Sequence, residues 1–376
     1  VRAVLASLVS LVVACGSSSS APNPPPPPPV AVPDAGAAAV ADPRIARGGA
    51  AFVKYCALCH GEAAQGYVAD HAPSLRSPTF LESADDTFLA RSIALGRPST
   101  PMAAYAKELG GPLSEADIAD MIAWIRHGGP AYRPPPPATG KGDAAAGAAL
   151  YATTCQSCHG DRATRLTAVQ LGHPVFLALA SDAFIRDAIV RGRPGTPMEA
   201  YGGKLTATQI DDLVAHLRSW AEKPTTAPPP PVAPPADGPV VINPRGKAPQ
   251  WKLKDGRFVA AADVKAAYVG KRKMVIVDAR PPSDWLTLRI PGAISIPHYD
   301  VSTLDRIPND GTWVVAYCAC PHHASGVIVD ELRKRGYKNT AVLDEGILFW
   351  HRQGYPVEGS NAALPPAADP HAGHKH

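Results

Sequence analysis

The chain has 376 residues, long enough for two or three domains of ordinary size. Its net charge of +4 is modest and argues strongly neither for nor against nucleic acid; no basic stripe with interleaved aromatics occurs, and no nucleic-acid partner is expected. Proline, at 42 residues, is gathered into runs at 24–29, 134–137 and 228–231 that no packed element can contain, and these runs divide the chain.

In chain order, the stretch "VRAVLASLVSLVVAC" places one arginine before an apolar segment too short for a finished membrane helix but suited to a signal-peptide core. Its end, Val12-Val13-Ala14-Cys15, resembles a bacterial lipobox, which implies a signal peptide over 1–15 and lipidation of Cys15. An ordinary secretory signal cleaved nearby is the alternative. Either way the expectation is an exported, periplasmic protein. The lipid would anchor it to the membrane through a Ser/Pro-rich tether over 16–42.

Two blocks then repeat. "GGAAFVKYCALCHG" (48–61) matches "GAALYATTCQSCHG" (147–160), and "ALGRPSTPMAAY" (94–105) matches "IVRGRPGTPMEAY" (189–201). "LSEADIADMIAWIR" (113–126) matches "LTATQIDDLVAHLR" (205–218). Shared order with short loop deletions reads as a duplicated domain, 43–133 and 143–223, joined by a linker at 134–142. Each copy carries C-x-x-C-H: Cys56, Cys59 and His60, then Cys155, Cys158 and His159. Two thiols on one helical turn can bond the vinyl groups of a haem while the adjacent imidazole meets the iron. A single motif would also fit a zinc half-site or a redox dithiol; two copies, each with a downstream Pro-Met, favour haem. Met102 and Met198 are the expected distal iron ligands, with His71 or His173 as alternatives. Arg97 and Arg193 are placed either on haem propionates or on a solvated loop, and Tyr105 and Tyr201 beside the haem.

Both blocks resemble class I cytochrome c domains over nearly their whole length. The resemblance implies two all-α domains with two covalently bound haem c groups. It also implies that Gly48 with Phe52, and Gly147 with Tyr151, lie where an N-terminal helix crosses a C-terminal one, over 114–126 and 206–220. The "GRPxTPM" loop is similar to that of dihaem cytochrome subunits of haem–copper oxidases.

After a Pro-rich linker (224–247), the block 248–358 changes pattern. Runs 274–278, 313–317 and 340–343 read as buried strands, and 260–268, 325–336 and 346–353 as helices. This predicts a parallel sheet covered on both faces. The stretches "VIVDARPPSDW", "RIPGAISIP", "VVAYC", "SGVIVDELRKRGY" and "VLDEGILFWHRQGYPV" resemble the rhodanese domain, the sulfurtransferase fold. The resemblance implies that Cys318 is the nucleophile, forming a persulfide with a small sulfur anion, and that Asp278 and Arg280 support the site. A thiol at a strand end facing a helix N-terminus near Ser325 would be stabilised as thiolate.

The stretch "CACPHHAS" (318–325) raises further readings. Counted back from Gly336, the helix starts at Ser325 and the loop is one residue longer than usual. That opens phosphatase or arsenate-type chemistry, although no late arginine is present. Cys320 could resolve the persulfide, tune it or merely pack. Cys318, Cys320, His322 and His323 could form a metal site. The tail 359–376 ends in "HAGHKH", a weak metal-binding tract or an inert end.

The expectation is therefore a multidomain electron-transfer protein with a rhodanese-like, possible thiosulfate sulfurtransferase domain. Its expected redox partners are a quinol or sulfur dehydrogenase and a terminal oxidase. The alternative is a pure electron-transfer protein whose third domain binds an anion or partner without chemistry.

Overall fold

The computed structural model describes residues 42–137, 140–221, 239–319 and 322–363. The signal peptide with Cys15, the tether 16–41, Cys320 and the histidine tail lie outside the described residues. No helix among the described residues is long and apolar enough to cross a membrane.

Ten helices fill the first two blocks. They are α1 (Pro43–Tyr55), α2 (Ala57–His60), α3 (Pro78–Ser83), α4 (Asp86–Leu95), α5 (Glu115–Arg126), α6 (Ala144–Thr154), α7 (Gln156–His159), α8 (Pro174–Leu179), α9 (Asp182–Arg191) and α10 (Ala207–Ser219). Local chemistry sets their ends. Ser114 with Asp117, and Thr206 with Gln209, close reciprocal capping boxes on α5 and α10. In each block the first helix crosses the last at a glycine. A Cβ on Gly48 would lie 1.9 Å from the Asp120 carbonyl oxygen, and one on Gly147 2.0 Å from that of Asp212. The aromatics one turn on, Phe52 and Tyr151, are buried at these crossings against Trp124 and Trp220. Arg126 of α5 and Arg218 of α10 then hold the preceding helical corner, donating to the carbonyls of Leu81 and Leu177 and pairing with Asp86 and Asp182.

The two helical units pack pairwise, α3 on α9 and α4 on α8. Equivalent helices meet in swapped order, the mark of a local two-fold relation between the copies. Phe80, Phe88 and Phe184 form one aromatic cluster there, and Thr79 donates to the Gly192 carbonyl at 2.7 Å. His173 caps α8 through Nδ1, which accepts from the Val175 amide at 3.2 Å, while its Nε2 donates to the Pro98 carbonyl at 3.0 Å.

The third block is a five-stranded parallel sheet. Its elements are β1 (Phe258–Val259), α11 (Ala261–Val269), β2 (Met274–Asp278), α12 (Pro282–Thr287), β3 (Ile294–Ser295), β4 (Trp313–Tyr317), α13 (His323–Lys334), β5 (Thr340–Leu343) and α14 (Gly346–Arg352). Strand order is β1-β5-β4-β2-β3. Side chains alternate along each strand between two cores, as period two requires. Met274, Ile276, Val315, Tyr317, Ala341 and Leu343 face α11 and α14; Val275, Val277, Val314, Ala316 and Val342 face α13. Both faces are covered, which is why the central strands read as continuous apolar runs.

Two boundaries differ from expectation. Residues 240–247, read as linker, are paired: Ile242 exchanges two backbone hydrogen bonds with Met274, at 2.8 and 3.2 Å. The helix expected from Ser325 begins at His323 instead. His322 adopts φ 88°, its Nε2 lies 2.7 Å from Asp344 Oδ1, and its ring stacks on Phe258 at 4.1 Å. This fixed left-handed residue turns the chain straight into α13, so the inference of a longer loop does not hold.

Two outcomes follow from this packing. Gly48→Ala forces a methyl into a backbone carbonyl and lowers stability by about 1–3 kcal/mol in chemical denaturation of the full chain, whereas Gly203→Ala, with no close neighbour, costs less. Burial pushes His173 down from its ordinary 6.5 to about 4. Between those values the unfolded chain takes up a proton that the folded chain refuses, so stability is complete above 6.5 and falls as pH drops toward 4. The loss is about 3 kcal/mol, and His173→Gln flattens that part of the unfolding-versus-pH curve.

Candidate functional site

Each C-x-x-C-H lies on the short helical turn between the first helix and a left-handed glycine, Gly61 or Gly160. Cys56, Cys59, Cys155 and Cys158 are free of disulfides. His60 Nδ1 donates to the Pro73 carbonyl at 2.9 Å, and His159 Nδ1 to the Val169 carbonyl at 2.8 Å. Those bonds fix the tautomer and leave Nε2 as the lone-pair nitrogen, as a metal-ligating imidazole requires. Burial keeps both rings neutral by pushing their pKa down.

The two "GRPxTPM" loops are closed alike. The Arg97 amide donates to the Met102 carbonyl at 2.6 Å, and the Arg193 amide to the Met198 carbonyl at 2.7 Å. Thr100 and Thr196 each donate to the arginine carbonyl and accept from the methionine amide. Met102 and Met198 are half-buried. Neither arginine is on a solvated loop. Arg97 donates to the Gly96 carbonyl and Ser92 Oγ; Arg193 donates to the Gly192 carbonyl and Thr79 Oγ1 and lies over Phe184. Burial pushes both guanidinium groups down to about 10. Two half-buried cations held only by neutral oxygens are the donors that a haem propionate calls for. Together with the oriented imidazoles and paired thiols, they fit covalent haem. The alternative ligand His173 does not fit, because both its ring nitrogens are already engaged. Tyr105 donates to the Tyr55 carbonyl at 3.0 Å, next to Cys56, and Met121 Sδ, which sequence reasoning missed, lies 3.8 Å from Cys56 Sγ.

In the third block Cys318 follows the last residue of β4 and is buried, with Sγ 3.3 Å from the Oγ of the equally buried Ser325. Ser325 thus lies in the first turn of α13 and not at its start. The amides of that turn lack intrahelical partners and supply positive potential at the loop. Asp278 and Arg280 are a buried bidentate pair at 2.9 and 2.7 Å, with Arg280 also bonded to the Leu288 carbonyl. They brace the sheet end beneath the site. The two loop histidines do not converge on a metal position: His322 is held by Asp344, and His323 Nδ1 lies 3.7 Å from Asp70 Oδ2. Among the described residues no cluster of three or more metal-ligating side chains occurs.

Asp70 belongs to the first helical unit, and its position was not legible in the sequence. It lies beyond the first C-x-x-C-H turn, and the neighbouring Ala69 amide donates back to the Cys59 carbonyl at 3.3 Å. Its own carbonyl accepts from Arg165 Nη1 of the second unit at 2.6 Å. Burial pushes the Cys59 thiol up to about 12; the negative charges of Asp70 and Cys318 add to the rise, and Arg165 opposes it. Further contacts join the third block to the first: Ser283 Oγ donates to the Ala104 carbonyl at 2.5 Å, and Tyr55 meets Tyr299 edge-on at 4.7 Å.

The family model described as cytochrome c oxidase, cbb3-type, subunit III matches residues 43–125 and 142–217, and the rhodanese-like domain model matches residues 260–353. The chain is similar to the cbb3-type cytochrome c oxidase subunit FixP of a Bradyrhizobium species, at 31% identity over 46% of this chain and 60% of that protein. It is also similar to the dihydro-heme d1 dehydrogenase of Pseudomonas aeruginosa, at 29% identity over 36% of this chain and 21% of that one. It therefore spans less than two thirds of the length of either relative. Among solved structures, a rhodanese-like domain from an Anabaena species aligns at 25% identity over 30% of this chain and 86% of that one, with a TM-score of 0.27. The chain thus joins a helical cytochrome region of cbb3 subunit III character, which implies covalently bound haem c, to a rhodanese-like domain built on a five-stranded parallel sheet.

Proposed function

We propose that this is an exported dihaem electron-transfer protein whose rhodanese-like domain carries sulfane sulfur on Cys318. Cytochrome units 43–133 and 143–223 each hold one haem c, through Cys56 and Cys59 with His60, and through Cys155 and Cys158 with His159. Met102 and Met198 complete the iron coordination. The observation that carries this reading is the repeated attachment turn, with His Nδ1 bonded to a backbone carbonyl in both copies. Haem in such a site supplies one-electron redox chemistry. The protein's own residues attach it, fix the imidazoles and screen the propionates with Arg97 and Arg193.

In the domain 248–358, Cys318 is the nucleophile. It attacks the outer sulfur of a small anion such as thiosulfate, keeps that sulfur as a persulfide, and releases sulfite. Ser325, 3.3 Å from Sγ, and the first amides of α13 hold the negative charge. Asp278 and Arg280 act on structure. A lipid on Cys15 tethers the chain to the membrane in the periplasm. The redox partners are a quinol or sulfur dehydrogenase upstream and a terminal oxidase downstream, in keeping with the relatives' roles.

Two measurements test this. A pyridine haemochrome assay on the full chain is expected to find two haems, and one when Cys155 and Cys158 are both replaced by alanine; zinc in place of haem would sink the reading. Cys318→Ala is expected to abolish thiosulfate sulfurtransfer while leaving the haem content unchanged.

A further inference from the structure

We propose that the rhodanese-like domain is docked as an electron donor to the first cytochrome unit, so that hydrosulfide captured by Cys318 as a persulfide delivers its two electrons through the 59–70 segment. This rests on the dihaem and persulfide reading above, and it adds the substrate class and the electron's point of entry.

The docking stands on four contacts spread over the interface. Tyr55, the residue before Cys56, packs on Tyr299. Ser283, itself buried, donates to the Ala104 carbonyl near the distal loop. Leu286 of the same helix lies against Gly110, where an added Cβ would come within 2.6 Å of its Cδ1. His323, the first residue of α13, faces Asp70. These contacts bring the Cys318 loop toward the first C-x-x-C-H turn. The same segment continues to the second unit, because Arg165 bonds the Asp70 carbonyl. One strip of chain therefore touches the thiol site on one side and both cytochrome units on the other.

Redox balance selects the substrate. Sulfur transfer from thiosulfate moves no net electrons, so it leaves a docked haem idle. Hydrosulfide adding to the Cys318 thiolate gives the persulfide, one proton and two electrons, a two-electron couple like that of any disulfide. The S–S bond forms, the S–H bond breaks, and the proton goes to water. The oxidant is ferric haem, one electron to each of two. A later thiophile removes the outer sulfur and regenerates the thiolate.

The test uses the haem-loaded full chain, oxidised and mixed anaerobically with hydrosulfide, against Ser283→Arg, Tyr299→Ala and Cys318→Ser. Haem reduction is followed optically, and the Cys318 peptide is weighed for persulfide. In parallel, iodoacetamide labelling of Cys318 is timed by peptide mass. The wild type is expected to reduce both haems per persulfide formed and to label slowly. Ser283→Arg is expected to keep thiosulfate sulfurtransfer, lose hydrosulfide-driven haem reduction and label faster. Tyr299→Ala, which trims the interface without inserting bulk, carries the same expectation if the arginine disturbs the fold. Unchanged haem reduction and labelling in both interface variants overturn the docking inference and leave the sulfurtransferase reading standing. Thiosulfate transfer that survives in Cys318→Ser overturns that reading itself.

Discussion

One residue, Asp70, touches all three parts of the described chain. Its carbonyl takes a hydrogen bond from Arg165 of the second cytochrome unit, its carboxylate faces His323 at the head of α13, and its own segment is bonded back to Cys59. The Asp70 side chain is only 6% exposed. The Arg165 guanidinium of the second unit meets its backbone carbonyl, and the first residue of α13 in the third block meets its carboxylate. That constraint ties the position of the Cys318 loop to the position of the first attachment turn.

The two helical units of the cytochrome region supply the rigid frame. Two glycines allow helix backbones to touch, two last-turn arginines lock the corners behind them, and the aromatic cluster Phe80, Phe88 and Phe184 joins the halves. Because the copies pack with equivalent helices exchanged, the "GRPxTPM" loops are held in related surroundings. The histidine capping α8 bonds to Pro98 of the opposite loop and makes this frame sensitive to acid. The rhodanese-like domain has a separate origin of stability: two cores on opposite faces of one sheet, braced at the loop end by the buried Asp278–Arg280 pair.

What was legible in the sequence is what depends on local pattern. The C-x-x-C-H turns, the crossing glycines and the three long strands follow from spacing and periodicity over a few residues. β1 and β3 were missed because two-residue strands carry no period. The start of α13 was misplaced because His322 is held in its turn by Asp344, which lies far along the chain. The meeting of Asp70, Arg165 and His323 left no sequence signal at all. Contacts between residues so far apart in the chain arise only when the domains pack, and the Pro-rich linkers gave no hint that they would.

The thiol loop and the first C-x-x-C-H turn are proposed to form one site. The most direct measurement is a crystal structure of the haem-loaded chain. Cys318 is expected beside the Cys56–Cys59 turn, with the Asp70 carbonyl bonded to Arg165 and its carboxylate facing His323. A rhodanese-like domain packed elsewhere, with Cys318 open to solvent and Asp70 bonded only within its own unit, would contradict it.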